Sequence, residues 1–234
     1  MAGSWIQIAA PGGDSFEGYL SVPAAGSGPG LVMVQEIFGV NPSIRHLADL
    51  FAAEGFTVLA PDFFWRIEPR VDLPFDEGGM KRAQELHKAF DYEQGVNDLG
   101  AAVEALRKQP QCKGPVAVTG YCLGGTFAYL AAARLPVDGA VAYYGTRIHN
   151  YLQDAGKVRC PLLLHFGELD HAVPPEALAK IRAALETNPK VQIHTYAGAK
   201  HAFANPMRPA NYDASSAALA NQRSLAFLRA MTRS

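Results

Sequence analysis

The sequence is poor in cysteine, in net charge and in long apolar runs. Three cysteines in 234 residues are an odd number. That argues against a disulfide framework and for a reducing compartment. Lys and Arg number 21, Asp and Glu 22, for a formal net charge of -1. A balance this even leaves no basic footprint for nucleic acid and no acidic tail. No apolar run approaches the length of a membrane span; the stretches LVMV at 31–34 and PLLLHF at 161–166 have the length of strands. The opening segment MAGSWIQIAAPGGDSF has no charged region followed by a long apolar one, so no secretory signal is expected. Fixed-period repeats and low-complexity tracts are also missing. Together these absences predict a soluble cytoplasmic protein with neither nucleic-acid nor membrane partners.

What is present is a core. With 49% hydrophobic and 18% charged residues, the chain has apolar surface to bury, which excludes global disorder. The length suits one domain spanning 1–234. Strand-like and helix-like runs alternate. EGYLSV (17–22) and LVMVQ (31–35) flank a turn-rich AAGSGPG (24–30). A helical run near 42–54 leads to FTVLAP (56–61), and a long amphipathic stretch covers about 80–108. PVAVTG (115–120) leads into a helix at 123–134. DGAVAYYG (138–145) and PLLLHFG (161–167) follow, then a helix near 175–187, VQIHTY (191–196) and a last helix at 213–231. Short continuous apolar strands between helices predict an α/β fold, its mostly parallel sheet covered by helices on both faces. The zone 61–79, rich in Pro, Gly and aromatics, is long for a connection and is a candidate lid. Catalytic groups in such folds sit at the carboxyl ends of strands.

One such end carries the sharpest motif, Gly120-Tyr121-Cys122-Leu123-Gly124-Gly125. It is the cysteine form of the G-x-S-x-G nucleophile elbow. A strand-to-helix turn this tight strains its central residue and crowds its neighbours, which glycine relieves. The thiol then stands at a helix N-terminus, where free N–H groups and the helix dipole favour a thiolate. The N–H of Leu123 is a candidate oxyanion donor. The motif is neither a phosphate-binding P-loop nor a dinucleotide turn. Cys112 and Cys160, in turn-like settings before strands, read as incidental.

A thiol nucleophile needs a base, and the base an orienting acid. The expected chain order is nucleophile, acid, histidine. Asp170 follows the strand PLLLHF and His201 follows VQIHTY, so Cys122, Asp170 and His201 satisfy both order and placement. Glu168 remains an alternative acid. His171 reads as a loop neighbour, and His165 and His194 as packed side chains. The histidines, acids and cysteines lack metal-ligand spacing, so no metal is expected. Glu36 ends the strand LVMVQ, where the second oxyanion donor of such hydrolases arises, and the Ile37 N–H is the candidate. On position alone, Glu36 is a strand-end charge facing water.

These residues carry a family resemblance. Gln-Glu-Ile-Phe-Gly-Val-Asn at 35–41, Pro-Asp at 61–62, Ala-Phe-Asp at 89–91, Gly-Tyr-Cys-Leu-Gly-Gly at 120–125, Tyr-Tyr-Gly at 143–145 and Ala-Ala-Leu-Ala-Asn at 217–221 resemble dienelactone hydrolase (carboxymethylenebutenolidase) along nearly the whole chain. The resemblance implies an α/β-hydrolase fold, a Cys122–His201–Asp170 triad and no cofactor. It also implies that Glu36 interacts with the resting thiol and helps deprotonate it when substrate binds. The thiolate would then attack a lactone or ester carbonyl, with the Ile37 and Leu123 N–H groups holding the oxyanion. Substrate contacts are expected from Phe38, Lys81, Arg82, Tyr144, Asn205 and Arg208.

The chain departs from the family where substrate carboxylate is held. The family places one arginine four residues after the histidine and another ten residues before the phenylalanine of Ala-Phe-Asp. Here those positions are Asn205 and Met80, and a pocket tryptophan is replaced by His87. Asn and Met cannot reproduce a bidentate guanidinium. The expected substrate is therefore a neutral or larger ester or lactone, turned over by a monomer. The competing class is a binding or redox-sensing protein that keeps the fold and the reactive thiol; no resolving cysteine lies near Cys122 in sequence.

Overall fold

The computed structural model describes residues 3–232. Contacts divide the chain into two compact units, with the boundary after Val116.

The first unit begins with β1 (Ser4–Ala9) and β2 (Ser15–Ser21), an antiparallel hairpin in register Ser4↔Leu20 to Ala9↔Ser15. β3 (Gly28–Val34) and β4 (Thr57–Pro61) pair in parallel, and β2 pairs antiparallel with β4. Between β3 and β4 lies α1 (Pro42–Ala53). Its start is written in sequence: Asn41 accepts the Ile44 N–H, and Pro42 occupies the first helical turn, where its missing N–H costs nothing. Its buried face, including Ile44, Leu47, Ala48 and Phe51, packs on β2 and β4. α2 (Glu77–Ala89) and α3 (Tyr92–Arg107) complete the unit, and α3 packs on β1, β3 and β4. The amphipathic stretch at 80–108 is thus two helices. Phe90 is extended, and Asp91 caps α3 by accepting the Glu93 and Gln94 N–H groups. β3 likewise starts at Gly28, inside the stretch expected to be a turn.

Segment 61–79 is tied down within this unit. Asp62 accepts the N–H groups of Phe64 and Arg70, Gln35 accepts that of Phe63, and Gly39 bridges to Asp72. Phe63, Phe64 and Val71 are buried.

β5 (Cys112–Tyr121) passes from the first unit into the second. There β6 (Gly139–Tyr143), β7 (Leu162–Gly167) and β8 (Val191–Tyr196) add in sequence order, every neighbouring pair parallel. Every residue of β6 and β7 is buried, the mark of strands covered on both faces. α4 (Leu123–Arg134) packs on β6, α6 (Ala214–Met231) packs on β6 and β7, and α5 (Pro175–Leu185) joins β7 to β8. α4 has ten buried residues and no polar face, so it lies deep inside the unit. The fold class is as expected: a mixed, mostly parallel sheet with helices on both faces. Among the described residues, no helix is long and apolar enough to cross a membrane.

Candidate active site

Between β5 and α4 stands a single residue, Cys122, at φ 56 and ψ -111. An L-residue held there costs roughly 1–3 kcal/mol, so the surroundings must impose it. They do so through the backbone. The Cys122 N–H donates to the Tyr143 carbonyl at 3.0 Å, and the Cys122 carbonyl accepts the N–H groups of Gly125 at 3.1 Å and Thr126 at 3.4 Å. Gly120 packs on the carbonyl of Gly124, and Gly125 packs on Tyr143 and Gly145 so closely that a side chain at either glycine would overlap backbone. α4 starts with no side-chain cap. The N–H groups of its first two residues, Leu123 and Gly124, precede the first bonds to the Cys122 carbonyl, and the thiol stands at this positive end. Cys122 is buried, with 8% of its surface exposed.

The β7 and β8 loops are clamped together. Glu168 N–H donates to Tyr196 O at 3.0 Å and Leu169 N–H to Ala199 O at 2.9 Å, while Gly167 admits the close approach of Ala199. This clamp brings His201 Nδ1 to 2.8 Å from Asp170 Oδ2. Asp170 is buried, and its other oxygen accepts the Ala172 N–H at 2.8 Å. A carboxylate so placed fixes the imidazole with Nδ1–H toward Asp170, leaving Nε2 for another partner. That partner is the Cys122 side chain, which hydrogen-bonds the same ring. His201 is pushed up to about 10. Burial opposes the shift, and a thiolate at Cys122 together with the hydrogen bonds from Asp170 and Cys122 outweighs it. The Tyr144 ring meets that of His201 edge-on at 5.0 Å, and Tyr144 itself sits at φ 41.

The rival residues lie elsewhere. Glu168 is exposed and accepts the Gly198 N–H at 3.0 Å. His165 is fully buried, between the Tyr196 hydroxyl at Nδ1 (2.8 Å) and the Ser224 hydroxyl at Nε2 (2.9 Å). Cys112 is buried in the first unit, and the Cys160 thiol faces the Ala132 carbonyl at 3.8 Å. His171, expected to be a loop neighbour, has its ring 6.0 Å from that of His201. No His, Cys, Asp or Glu cluster among the described residues could hold a metal ion.

The other expected site residues are placed as follows. In the first unit Glu36 follows β3 and is buried, Ile37 is half-buried, and Phe38 meets Phe75 edge-on at 4.8 Å. Position alone had turned Glu36 toward water; the fold turns it inward. Lys81 and Arg82 are exposed on α2, and Arg82 is held by Glu68 at 2.6 Å and Glu85 at 3.0 Å. His87 bonds the Tyr92 hydroxyl at 2.8 Å. In the second unit Asn205 is fully buried and accepts the Met207 N–H at 3.1 Å, while Arg208 is half-exposed.

Comparison with known proteins agrees along the chain. The model of the dienelactone hydrolase family matches residues 16–232. The carboxymethylenebutenolidase of Pseudomonas putida is 41% identical over 95% of this chain and 94% of its own length. Carboxymethylenebutenolidase 1 of Cupriavidus pinatubonensis is 35% identical over 97% of each chain. A putative dienelactone hydrolase from Klebsiella pneumoniae superposes with a TM-score of 0.82 at 29% identity, covering 97% of this chain and 98% of that one. With the α/β architecture and these relatives together, the chain belongs to the dienelactone hydrolase family of the α/β-hydrolase superfamily.

Proposed function

We propose that the protein is a carboxylic-ester or lactone hydrolase in which Cys122 is the nucleophile, His201 the base and Asp170 its orienting acid. Family membership supports the hydrolase class. The observation that carries the residue assignment is the His201 imidazole, bonded at Nδ1 to Asp170 at 2.8 Å and on its other side to the Cys122 thiol.

The chemistry follows from that geometry. His201 takes the thiol proton, and the thiolate attacks the substrate carbonyl. A C–S bond forms while the carbonyl π pair moves onto oxygen, where the Leu123 N–H and the dipole of α4 stabilise it. Collapse re-forms the carbonyl and expels the alkoxide, which takes its proton from His201. A water then gives its proton to His201 and attacks the acyl-thioester, and the thiolate departs. Asp170 holds one ring tautomer throughout and stabilises the imidazolium. For Glu36 and Ile37 the proposed roles rest on the family resemblance.

The substrate is proposed to be a neutral or larger ester or lactone. The two positions at which the resemblance places carboxylate-binding arginines hold Met80 and Asn205, and neither side chain can form a bidentate pair with a carboxylate. The experiment is turnover of small activated esters by wild type and Cys122→Ala. Loss of turnover in the variant is expected; unchanged turnover refutes the assignment.

A further inference from the structure

Asp170 holds the ring of His201, and a second residue holds its main chain. The side-chain amide of Asn211 donates from Nδ2 to the His201 carbonyl at 2.8 Å, ten residues back along the chain. That carbonyl belongs to a constrained peptide unit, because the next residue, Ala202, is fully buried at φ 65. An L-residue keeps such a conformation only where its surroundings impose it. Tight turns do so on both sides: the Phe203 N–H donates to the Lys200 carbonyl at 3.2 Å, and the Asn205 N–H to the Ala202 carbonyl at 3.0 Å.

Asn211 is itself firmly placed. The N–H groups of Asn211 and Tyr212 both donate to the Arg208 carbonyl at 2.9 Å, and the Asp213 N–H donates to the Phe203 carbonyl at 3.0 Å. Asp213 then caps α6 by accepting the Ser216 N–H at 2.8 Å. The loop 202–212 is thus closed twice, by Asn211 onto His201 and by Asp213 onto Phe203. Its far end is fixed to α6, which packs on β6 and β7.

We propose that Asn211 is a positioning residue for the reaction, acting through the main chain of His201. The proposal rests on the reading of His201 as the base. With the ring tied at Nδ1 to Asp170 and the carbonyl tied to Asn211, the imidazole has two anchors on separate elements, and the position of Nε2 is set by both. Without the second anchor the ring can pivot about its bond to Asp170, and Nε2 leaves the line of proton transfer. Proton transfer demands that geometry, whereas substrate binding does not. A misplacement of about 1 Å costs on the order of 10²-fold in rate.

The test is kcat and KM for p-nitrophenyl acetate, with urea midpoints on the same preparations. Asn211→Leu removes the amide, Asn211→Asp keeps its shape without an N–H donor, and Asn211→Gln keeps the amide on a longer stem. Asn188→Leu is the control: Asn188 Nδ2 donates to the Val158 carbonyl at 3.3 Å, a bond of the same kind in the same unit. Asn211→Leu and Asn211→Asp are expected to lose roughly 10-fold to 100-fold in kcat with KM within about twofold of wild type. Asn211→Gln is expected to recover part of that loss, and Asn188→Leu to keep kcat within about twofold whatever its urea midpoint. Wild-type kcat in Asn211→Asp and Asn211→Leu overturns the proposal, as does a loss confined to KM or an equal loss of kcat in Asn188→Leu. His201→Gln, run in the same assay, separates the proposal from the reading beneath it. Full turnover in that variant overturns the reading of the base and the proposal with it; lost turnover there beside wild-type kcat in the Asn211 variants overturns the proposal alone.

Discussion

Gly120 lies against the carbonyl of Gly124, so close that a Cβ on Gly120 would overlap that peptide unit. The two glycines of the G-x-C-x-G motif therefore meet backbone to backbone on the inside of the turn, and Cys122 is carried over the top at φ 56. The strain at the thiol and the contact between the glycines are one feature.

Gly120→Ala is expected to destabilise the protein by about 1–3 kcal/mol, the usual cost of forcing an extra methyl into a packed site. It is also expected to lower ester turnover by more than the unfolded fraction explains. Urea denaturation and kcat/KM on the same preparation check both. Unchanged values would mean that the turn relaxes freely.

Asp170 and Glu168 are two residues apart and chemically alike, yet only Asp170 meets His201. Asp170→Asn is expected to lower kcat/KM by roughly 10²–10⁴-fold, because the amide no longer enforces the tautomer or stabilises the imidazolium. Glu168→Gln, at an exposed carboxylate, is expected to stay within about threefold of wild type. Equal losses at the two positions would contradict the assignment.

His201 holds its proton more tightly in the folded protein, to about 10, than in the unfolded chain, where an imidazole titrates near about 6.5. Its protonation therefore stabilises the fold fully below about pH 6.5 and loses that contribution as pH rises toward about 10. Urea midpoints of wild type are expected to fall across that interval relative to those of His201→Gln. A constant difference between the two would contradict the raised value.

His165 behaves with the opposite sign. Burial holds its imidazole well below the usual range, with His194 and Arg223 adding to the effect. Its contribution is present above the unfolded value of about 6.5 and is lost as pH falls below it. The ring bridges Ser224, itself bonded to Tyr143, and Tyr196. His165→Leu is expected to cost about 1–3 kcal/mol at pH 8, because it removes two buried hydrogen bonds, to the Tyr196 and Ser224 hydroxyls. It is also expected to flatten the decline of stability between about pH 7 and 5.

The elements read from sequence were those with continuous apolar runs or clear caps. β7 and β8 lie within a residue of where PLLLHFG and VQIHTY put them. β1 is not legible in the sequence because its residues SWIQIA are mostly exposed or half-buried at the first strand of a hairpin. The break between α2 and α3 was signalled by Asp91, but the apolar periodicity ran on across it. For the site, chain order and strand-end placement singled out Cys122, Asp170 and His201. They left Glu168 as an alternative to Asp170, because a loop's path decides which carboxylate turns inward.

The central claim is that an acyl group passes through the Cys122 sulfur. Enzyme mixed with p-nitrophenyl acetate is quenched within the burst phase, digested and mapped by mass spectrometry, with and without prior iodoacetamide. The account predicts an acetyl thioester on Cys122, stoichiometric with the burst, and loss of turnover in step with alkylation of that residue. Full turnover after complete alkylation of Cys122 would contradict it.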